Sequence, residues 1–347
     1  MKRASPLLIL IALLAALAWT AVFFDSPGHP KDASFTVVTG DGVERIVTGL
    51  KEKGFIRSEL LFKAALRSSG LATKLQPGTY DLGGVASYGE IISRLASGGV
   101  SAEEFTLRVT EGQDLRDIVA ALKNAGYARA DELYRVTGLP ATDARTLSAA
   151  GAPKPKDFSR EFPYLKDKPS YVSLEGFLFP DTYRVFRNAT PEDIVRLMLA
   201  NFDRKLTPAL RDAMARQGRT VYQEVTMASI IEDEVRGTDD RRLVSDLFWR
   251  RLKEGMALQS DATVNYITGS GRVSSTAKDL QNVSPYNTYK YRGLPLGPIG
   301  NPGLDSIMAA ADPKANAYVY FLTDKQGTVH YARTLAEHNA NRYKYLR

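Results

Sequence analysis

Acidic side chains at the end of an apolar helix are the first candidates for chemistry in this chain. Residues 222–236, YQEVTMASIIEDEVR, set Val225, Ala228, Ile231 and Val235 at helical spacing and so mark a buried face. Glu232 stands four residues after Ala228 and three before Val235, at the edge of that face. A carboxyl among apolar neighbours has its charged form desolvated; its pKa rises, and it can hold a proton near neutrality as a general acid must. Asp233 and Glu234 project to other sides of the helix and read as solvated or capping charges. The plainer alternative for Glu232 is an i,i+4 pair with Arg236, and spacing alone favours that pairing.

Other segments supply binding chemistry. Gln259-Ser260-Asp261 follows a helical stretch carrying Arg250, Arg251 and Leu252. Tyr286-Asn287-Thr288-Tyr289 offers two aromatic faces and two hydrogen-bonding groups within four residues, a combination that holds sugar rings. The Pro/Gly loop from Gly293 to Gly303 can wall a groove or be an ordinary surface turn, and its composition does not separate the two. His330 and His338 with Glu337 match no metal-ligand spacing, so no metal is expected and a structural or substrate-contacting histidine is the better reading. The chain has no G-x-S-x-G, P-loop or dinucleotide fingerprint.

These residues need elements to position them. Residues 318–322 and 329–332 flank Asp324-Lys325-Gln326-Gly327 and read as a hairpin. Upstream, a repeat recurs at an offset of 72 residues. Its first copy carries Val37, Gly40, Val43, Ile46, Val47, Leu50, Lys51, Gly54 and Phe55, and its second Val109, Gly112, Leu115, Ile118, Val119, Leu122, Lys123, Gly126 and Tyr127. Each copy predicts a short strand, a Gly turn, an amphipathic helix and a Gly stop. This order resembles the start of a LysM module, a glycan-binding unit, although a generic βα unit without ligand has the same pattern. Further helices are expected over 58–68 and 88–96, with a Pro-Gly-led β stretch at 77–82. Residues 138–172, with five prolines and no sustained period, read as a connector.

The N-terminus sets the compartment. Lys2 and Arg3 precede an 18-residue run, Leu7–Phe24, broken only by Thr20. As a helix it would span roughly 27 Å, close to a hydrocarbon core. The preceding charges put residues 1–6 in the cytoplasm and the remainder outside. Ala16-Leu17-Ala18 resembles a signal-peptide cleavage site, but the apolar run continues six residues further, which favours an uncleaved anchor. Both readings export the rest of the chain.

Composition fits that placement. The 347 residues hold 44% hydrophobic and 24% charged side chains, which excludes disorder. The absence of cysteine excludes disulfides, thiolate metal sites, Cys nucleophiles and a lipoprotein anchor. The net charge of +7 suits an acidic polymer of any kind, but export and the lack of a nucleic-acid motif argue against nucleic acid.

Five segments in order carry a family resemblance. They are Ser173-Leu174-Glu175-Gly176-Phe177-Leu178-Phe179-Pro180-Asp181-Thr182-Tyr183, Ala228-Ser229-Ile230-Ile231-Glu232-Asp233-Glu234, Gln259-Ser260-Asp261, Tyr286-Asn287-Thr288-Tyr289 with the Gly293–Gly303 loop, and Thr334-Leu335-Ala336-Glu337-His338-Asn339. The chain resembles the endolytic murein transglycosylases of the MltG (YceG-like) family over nearly its whole length. The resemblance implies non-hydrolytic cleavage of the β-1,4 bond between N-acetylmuramic acid and N-acetylglucosamine, leaving a 1,6-anhydro end and terminating strand growth. It implies Glu232 as the single general acid/base, reversing the preference for a bland helix pair, and Glu175, Tyr183, Gln259, Asp261, Tyr286, Asn287, Tyr289 and His338 as substrate contacts or site supports. No cofactor is implied. Peptidoglycan strands, the inner membrane, peptidoglycan synthases and division or elongation proteins are the implied partners. Two departures stand out: Leu296 replaces the second proline of the family's G-L-P-P-G-P-I loop, expected to loosen that wall, and Asp233 replaces a basic residue.

The expected fold class is α+β: a cytoplasmic tail (1–6), a transmembrane helix (7–24), a linker (25–33), a LysM-like region with the internal repeat (34–137), a connector (138–172) and a catalytic domain (173–347). A muramidase-type hydrolase and a membrane-tethered, non-catalytic glycan binder are the rival functions.

Overall fold

The computed structural model describes residues 33–346 except 39, 86, 99–103, 147–152 and 270–274. The expected tail, the transmembrane run with its cleavage-like site, and all but the last linker residue lie outside the described residues. Among the described residues, no helix is long and apolar enough to cross a membrane. They form twelve α-helices and three two-stranded sheets, an α+β architecture. The chain divides into two compact units, one running to Phe105 and taking in Val185–Ala189, the other comprising Thr106–Arg184 and Thr190–Arg347.

In the first unit, β1 (Ser34–Val37) pairs antiparallel with β2 (Gly78–Asp81), Ser34 opposite Asp81 and Val37 opposite Gly78. Strand alternation turns Phe35 and Val37 inward. Three amphipathic helices, α1 (Val43–Glu52), α2 (Glu59–Ser69) and α3 (Tyr88–Ser97), close over them and bury Leu50, Phe62, Leu66, Tyr88 and Ile91 in one core. Ser58 caps α2 by accepting from Leu61 N–H at 3.3 Å. The buried Tyr88 hydroxyl accepts from the N–H groups of Arg57 and Ser58, each at 3.2 Å, so no polar atom is stranded there.

The repeat is reproduced bond for bond. At the end of α1, Gly54 N–H donates to Lys51 O (2.9 Å) and Phe55 N–H to Leu50 O (2.8 Å). At the end of α4 (Leu115–Asn124), Gly126 N–H donates to Lys123 O (2.9 Å) and Tyr127 N–H to Leu122 O (3.0 Å). Gly54 and Gly126 take φ of 79° and 73°, the left-handed conformation this helix stop requires. The two copies belong to different compact units.

β3 (Glu104–Arg108) pairs with β4 (Thr182–Phe186), and the division between the two units falls within each of these strands. The chain continues through α4, α5 (Leu133–Thr137), α6 (Pro191–Lys205), α7 (Pro208–Arg216), α8 (Val221–Glu234), α9 (Thr238–Lys253), α10 (Asp261–Thr268) and α11 (Leu304–Ala311). A hairpin of β5 (Tyr320–Thr323) and β6 (Val329–Ala332) and a final helix α12 (Leu335–Tyr345) complete it. Residues 138–172 contain only one 3-10 turn, Pro163–Leu165, among those described, yet Phe158, Tyr164, Leu165 and Val172 are buried.

The helix that positions the chemistry is α8. A capping box between Thr220 and Gln223 starts it. Every residue from Glu224 to Ile231 is buried, so it is a core helix rather than an amphipathic surface one. Beyond its first turn, polar side chains emerge only in its last, where Val235 leaves the helix with extended φ and ψ of −147° and 153°.

Candidate active site at the end of the buried helix

The last turn of α8 carries three acids in succession, about 100° apart around the axis, which sends each into a different environment.

Glu232 is tied down. Its Oε1 accepts from Arg241 Nη2 at 2.6 Å and its Oε2 from Gly303 N–H at 2.9 Å. Arg241 stands in the first turn of α9, and Gly303 is the N-cap of α11. The side chains of Glu232 and Arg241 are 6% and 10% exposed, so the pair is close to fully desolvated. Arg241 Nη1 also lies 3.8 Å from the Asp305 carboxylate. The helix pair with Arg236 does not form; a residue from the next helix takes the place that spacing gave to Arg236.

Glu234 differs from its expected role as a solvated charge. Ser260 Oγ donates to its Oε1 at 2.5 Å. Burial of the carboxyl raises its pKa above the ordinary value; the Ser260 hydrogen bond opposes that rise, the nearby Asp261 adds to it and Arg251 opposes it. Tyr289 donates its hydroxyl to Asp261 Oδ1 at 3.0 Å. Ser260 N–H reaches Thr288 Oγ1 at 3.1 Å, Gln259 N–H reaches Thr288 O at 3.2 Å, and Thr263 Oγ1 lies 2.9 Å from Thr288 Oγ1. The Q-S-D and N-T-Y segments are therefore stitched together beside Glu234. Gln259 itself is exposed with φ of 53°, a conformation non-glycine residues seldom hold.

Arg251 closes the other side. It donates to Leu258 O at 2.7 Å and Val319 O at 2.8 Å, and its guanidinium lies 5.9 Å from the centre of the Tyr320 ring. Tyr320 stacks on His338 at 5.2 Å. Burial, with Arg342 and Arg251 nearby, lowers the His338 pKa, which keeps the imidazole neutral. Among the described residues there is no cluster of potential metal ligands.

Four of the remaining expected residues lie buried in the protein. Glu175 is 0% exposed and accepts from Leu115 N–H (3.1 Å), Tyr266 Oη (3.1 Å) and Asn301 Nδ2 (3.0 Å), which pins the start of α4, α10 and the Pro/Gly loop together. Burial pushes it up to about 8, with Asp114 adding and its hydrogen bonds opposing. Asn287 is fully buried and donates to Leu280 O and Asn282 O. Tyr286 is fully buried against Tyr266, ring centres 5.3 Å apart. Tyr183 is buried, donates to Phe179 O and accepts from Asn201. None of these four presents its polar atoms to a sugar. Leu296 does not loosen its loop: its N–H donates to Pro285 O at 3.2 Å, which a proline could not do, and its carbonyl accepts from the Tyr222 hydroxyl.

The profile of the YceG-like family matches residues 35–344, both copies of the repeat and the whole of this site included. The chain belongs to the YceG-like family. This family member is 34% identical over 327 residues to the endolytic murein transglycosylase of Bacillus subtilis, covering 91% of this chain and 86% of that one. It is 30% identical over 312 residues to the endolytic murein transglycosylase of Streptococcus pneumoniae serotype 2, covering 87% of this chain and 56% of that one. A crystal structure of a yceG-like protein from Listeria monocytogenes matches with a TM-score of 0.57 at 29% identity, over 90% of this chain and 99% of that one.

Sequence reasoning missed Arg241 at this family member's site, gave Arg251 and Gly303 no contact of their own, and read Glu234 as solvated. Arg241 and Arg251 carry no spacing signal, because their partners are distant in sequence. Glu234 did carry one: two residues beyond Glu232, it inherits the same apolar helix.

Proposed function

We propose that the protein is an endolytic murein transglycosylase that cuts the β-1,4 bond between N-acetylmuramic acid and N-acetylglucosamine inside glycan strands, leaving a 1,6-anhydro end. The end of α8 supplies the acid/base. Of its carboxyls, Glu232, which the family resemblance implied, has both oxygens engaged by Arg241 and Gly303. It also lines an open cleft of about 630 Å³, where a glycan strand can reach it, whereas the Glu234 carboxyl is enclosed by Ser260. The observation that carries this reading is the Glu232 carboxyl, held by Arg241 and the Gly303 N–H in the wall of that cleft.

The step needs one such group. Protonated Glu232 gives its proton to the glycosidic oxygen as the C1–O bond breaks. The carboxylate then takes the proton of the sugar's C6 hydroxyl as that oxygen bonds to C1, and Glu232 ends protonated again. No water is consumed, whereas hydrolases commonly divide the work between two carboxylates.

The rest of the sequence reading joins this proposal. Segment 7–24 anchors the chain in the inner membrane with residues 1–6 in the cytoplasm and the remainder periplasmic, and the LysM-like region holds the strand near peptidoglycan synthases and the division or elongation machinery. Digestion of purified sacculi followed by mass spectrometry tests the activity. Anhydro-muropeptides support it; products heavier by the mass of one water indicate a muramidase, and binding without release indicates a non-catalytic glycan binder.

A further inference from the structure

Proton transfer is one demand of the reaction. The positive charge that develops at C1 as the glycosidic bond breaks is another, and a carboxylate near that carbon meets it. The cleft that holds Glu232 is walled by four acids, Glu111, Asp181, Glu232 and Asp233, against three arginines, Arg108, Arg236 and Arg241. That balance favours a cation. Several of these charges are already engaged. Glu232 has both oxygens on Arg241 and Gly303, and Arg241 also faces Asp305. Asp181 accepts from Asn201 Nδ2 at 2.9 Å and from Thr182 N–H at 2.7 Å. Asp233, one residue on from Glu232, is turned about 100° around α8 and lies against Gly112. Glu111 accepts no hydrogen bond among the described residues.

The fold brings Glu111 to the same residue that holds Glu232. Gly303 N–H donates to Glu232 Oε2 at 2.9 Å, and a Cβ on Gly303 would come within 2.0 Å of Glu111 Oε1, so a side chain there would displace that carboxyl. Covalent geometry then puts the two carboxyls roughly 8 Å apart at most, inside the span over which paired carboxyls serve one sugar in glycosidases. Backbone bonds fix this approach. Glu111 belongs to the turn 110–113, which is bonded to the loop before Gly303. Gly112 N–H donates to Asn301 O, and both Asn301 N–H and Asn301 Nδ2 donate to Gln113 O, each at 2.9 Å. Partial burial raises the Glu111 pKa and the Glu232 charge adds to the rise; Arg241 opposes it and Asp305 adds again. With the proton on Glu232 that neighbour's contribution vanishes, so Glu111 ionises most readily in the state that starts the reaction.

We propose that Glu111 is a second catalytic residue of this cleft, a carboxylate that stabilises the oxocarbenium ion while Glu232 moves the proton. The proposal rests on the transglycosylase reading and adds no covalent step: no bond forms to Glu111, and the C6 hydroxyl remains the nucleophile.

The test uses the full chain in detergent. Glu111→Gln should lower kcat on purified glycan strands about a hundredfold with little change in KM, because the lost interaction belongs to the transition state. Glu111→Asp, which keeps the charge, should lose less than about tenfold. Calorimetric titration with two probes reads the charge without turnover. One is a tetramer of N-acetylglucosamine, which is neutral; the other is the same tetramer ending in a protonated piperidine iminosugar, which carries the charge of the oxocarbenium ion. The wild type should bind the charged probe about tenfold more tightly, and Glu111→Gln should lose that preference while keeping its affinity for the neutral probe. No preference in the wild type, a preference kept in Glu111→Gln, or one lost only in Asp233→Asn overturns the assignment, as does an unchanged kcat in Glu111→Gln. If the wild type releases no anhydro-muropeptides, the transglycosylase reading fails, and the titration still decides whether Glu111 recognises a cation.

Discussion

The hydroxyl of Ser260 donates to Glu234 Oε1 across 2.5 Å, joining the loop before α10 to the last turn of α8. Ser260 is 2% exposed, so this bond lies inside the protein and bears directly on the proton affinity of the one acid surrounded by the Q-S-D and N-T-Y segments. Two of the three acids in that turn separate on this basis. Glu232 is matched by a cation, while Glu234 has a hydroxyl and a second carboxylate for neighbours.

Glu232→Gln keeps the size but cannot carry the proton. Release of anhydro-muropeptides from sacculi should fall at least about a hundredfold in protein that denaturant unfolding shows to be folded. Glu234→Gln keeps a group for the Ser260 hydroxyl and should retain turnover in the folded fraction. A folded Glu234→Gln variant that releases nothing, beside an active Glu232→Gln, would move the acid role to Glu234.

Glu175 should make stability depend on pH. Its pKa is pushed from 4.5 to about 8 by burial, so between those values the folded protein holds a proton that the unfolded chain has released. Raising pH through that window therefore lowers stability. The melting temperature should fall more steeply with pH in the wild type than in Glu175→Gln, whose amide stays neutral throughout. Parallel curves in differential scanning calorimetry would refute this.

Gly176 cannot be replaced cheaply. Its φ is 85°, and a Cβ would come within 2.4 Å of Pro298 Cβ and 3.0 Å of Val225 Cγ1. Gly176→Ala combines left-handed strain with overlap against a rigid ring, and should cost about 3 kcal/mol or more. Urea unfolding measures it. The variant should also lose activity, because Pro298 belongs to the loop that leads to Gly303 and Glu232.

The helices and turns near the site were legible because local physics governs them. The 3.6-residue period marked α8, the Gly stops marked the repeat, and turn residues between two β-rich runs marked the final hairpin. The expected stretch at 58–68 is observed as Glu59–Ser69, and that at 88–96 as Tyr88–Ser97. Identity of the family was legible as well, since five segments in order are a property of sequence alone.

What each acid touches was not legible. Spacing said that Glu232 edges an apolar face, and this is true, but its charge partner comes from Arg241, nine residues on and across a helix break at Val235. Glu234 looked solvated because nothing near it in sequence covers it; Ser260, Asp261 and Arg251 enclose it from segments brought in by the fold. Glu175, Tyr286 and Asn287 read as binding groups because their side chains suit sugars, yet each spends its polar atoms or its ring inside the protein. Residue type and spacing determined the chemistry on offer and the helix that carries it. Tertiary packing decided which carboxyl is paired, which is desolvated and which cleft keeps free charges, because those depend on Coulomb and burial terms set by neighbours distant along the chain.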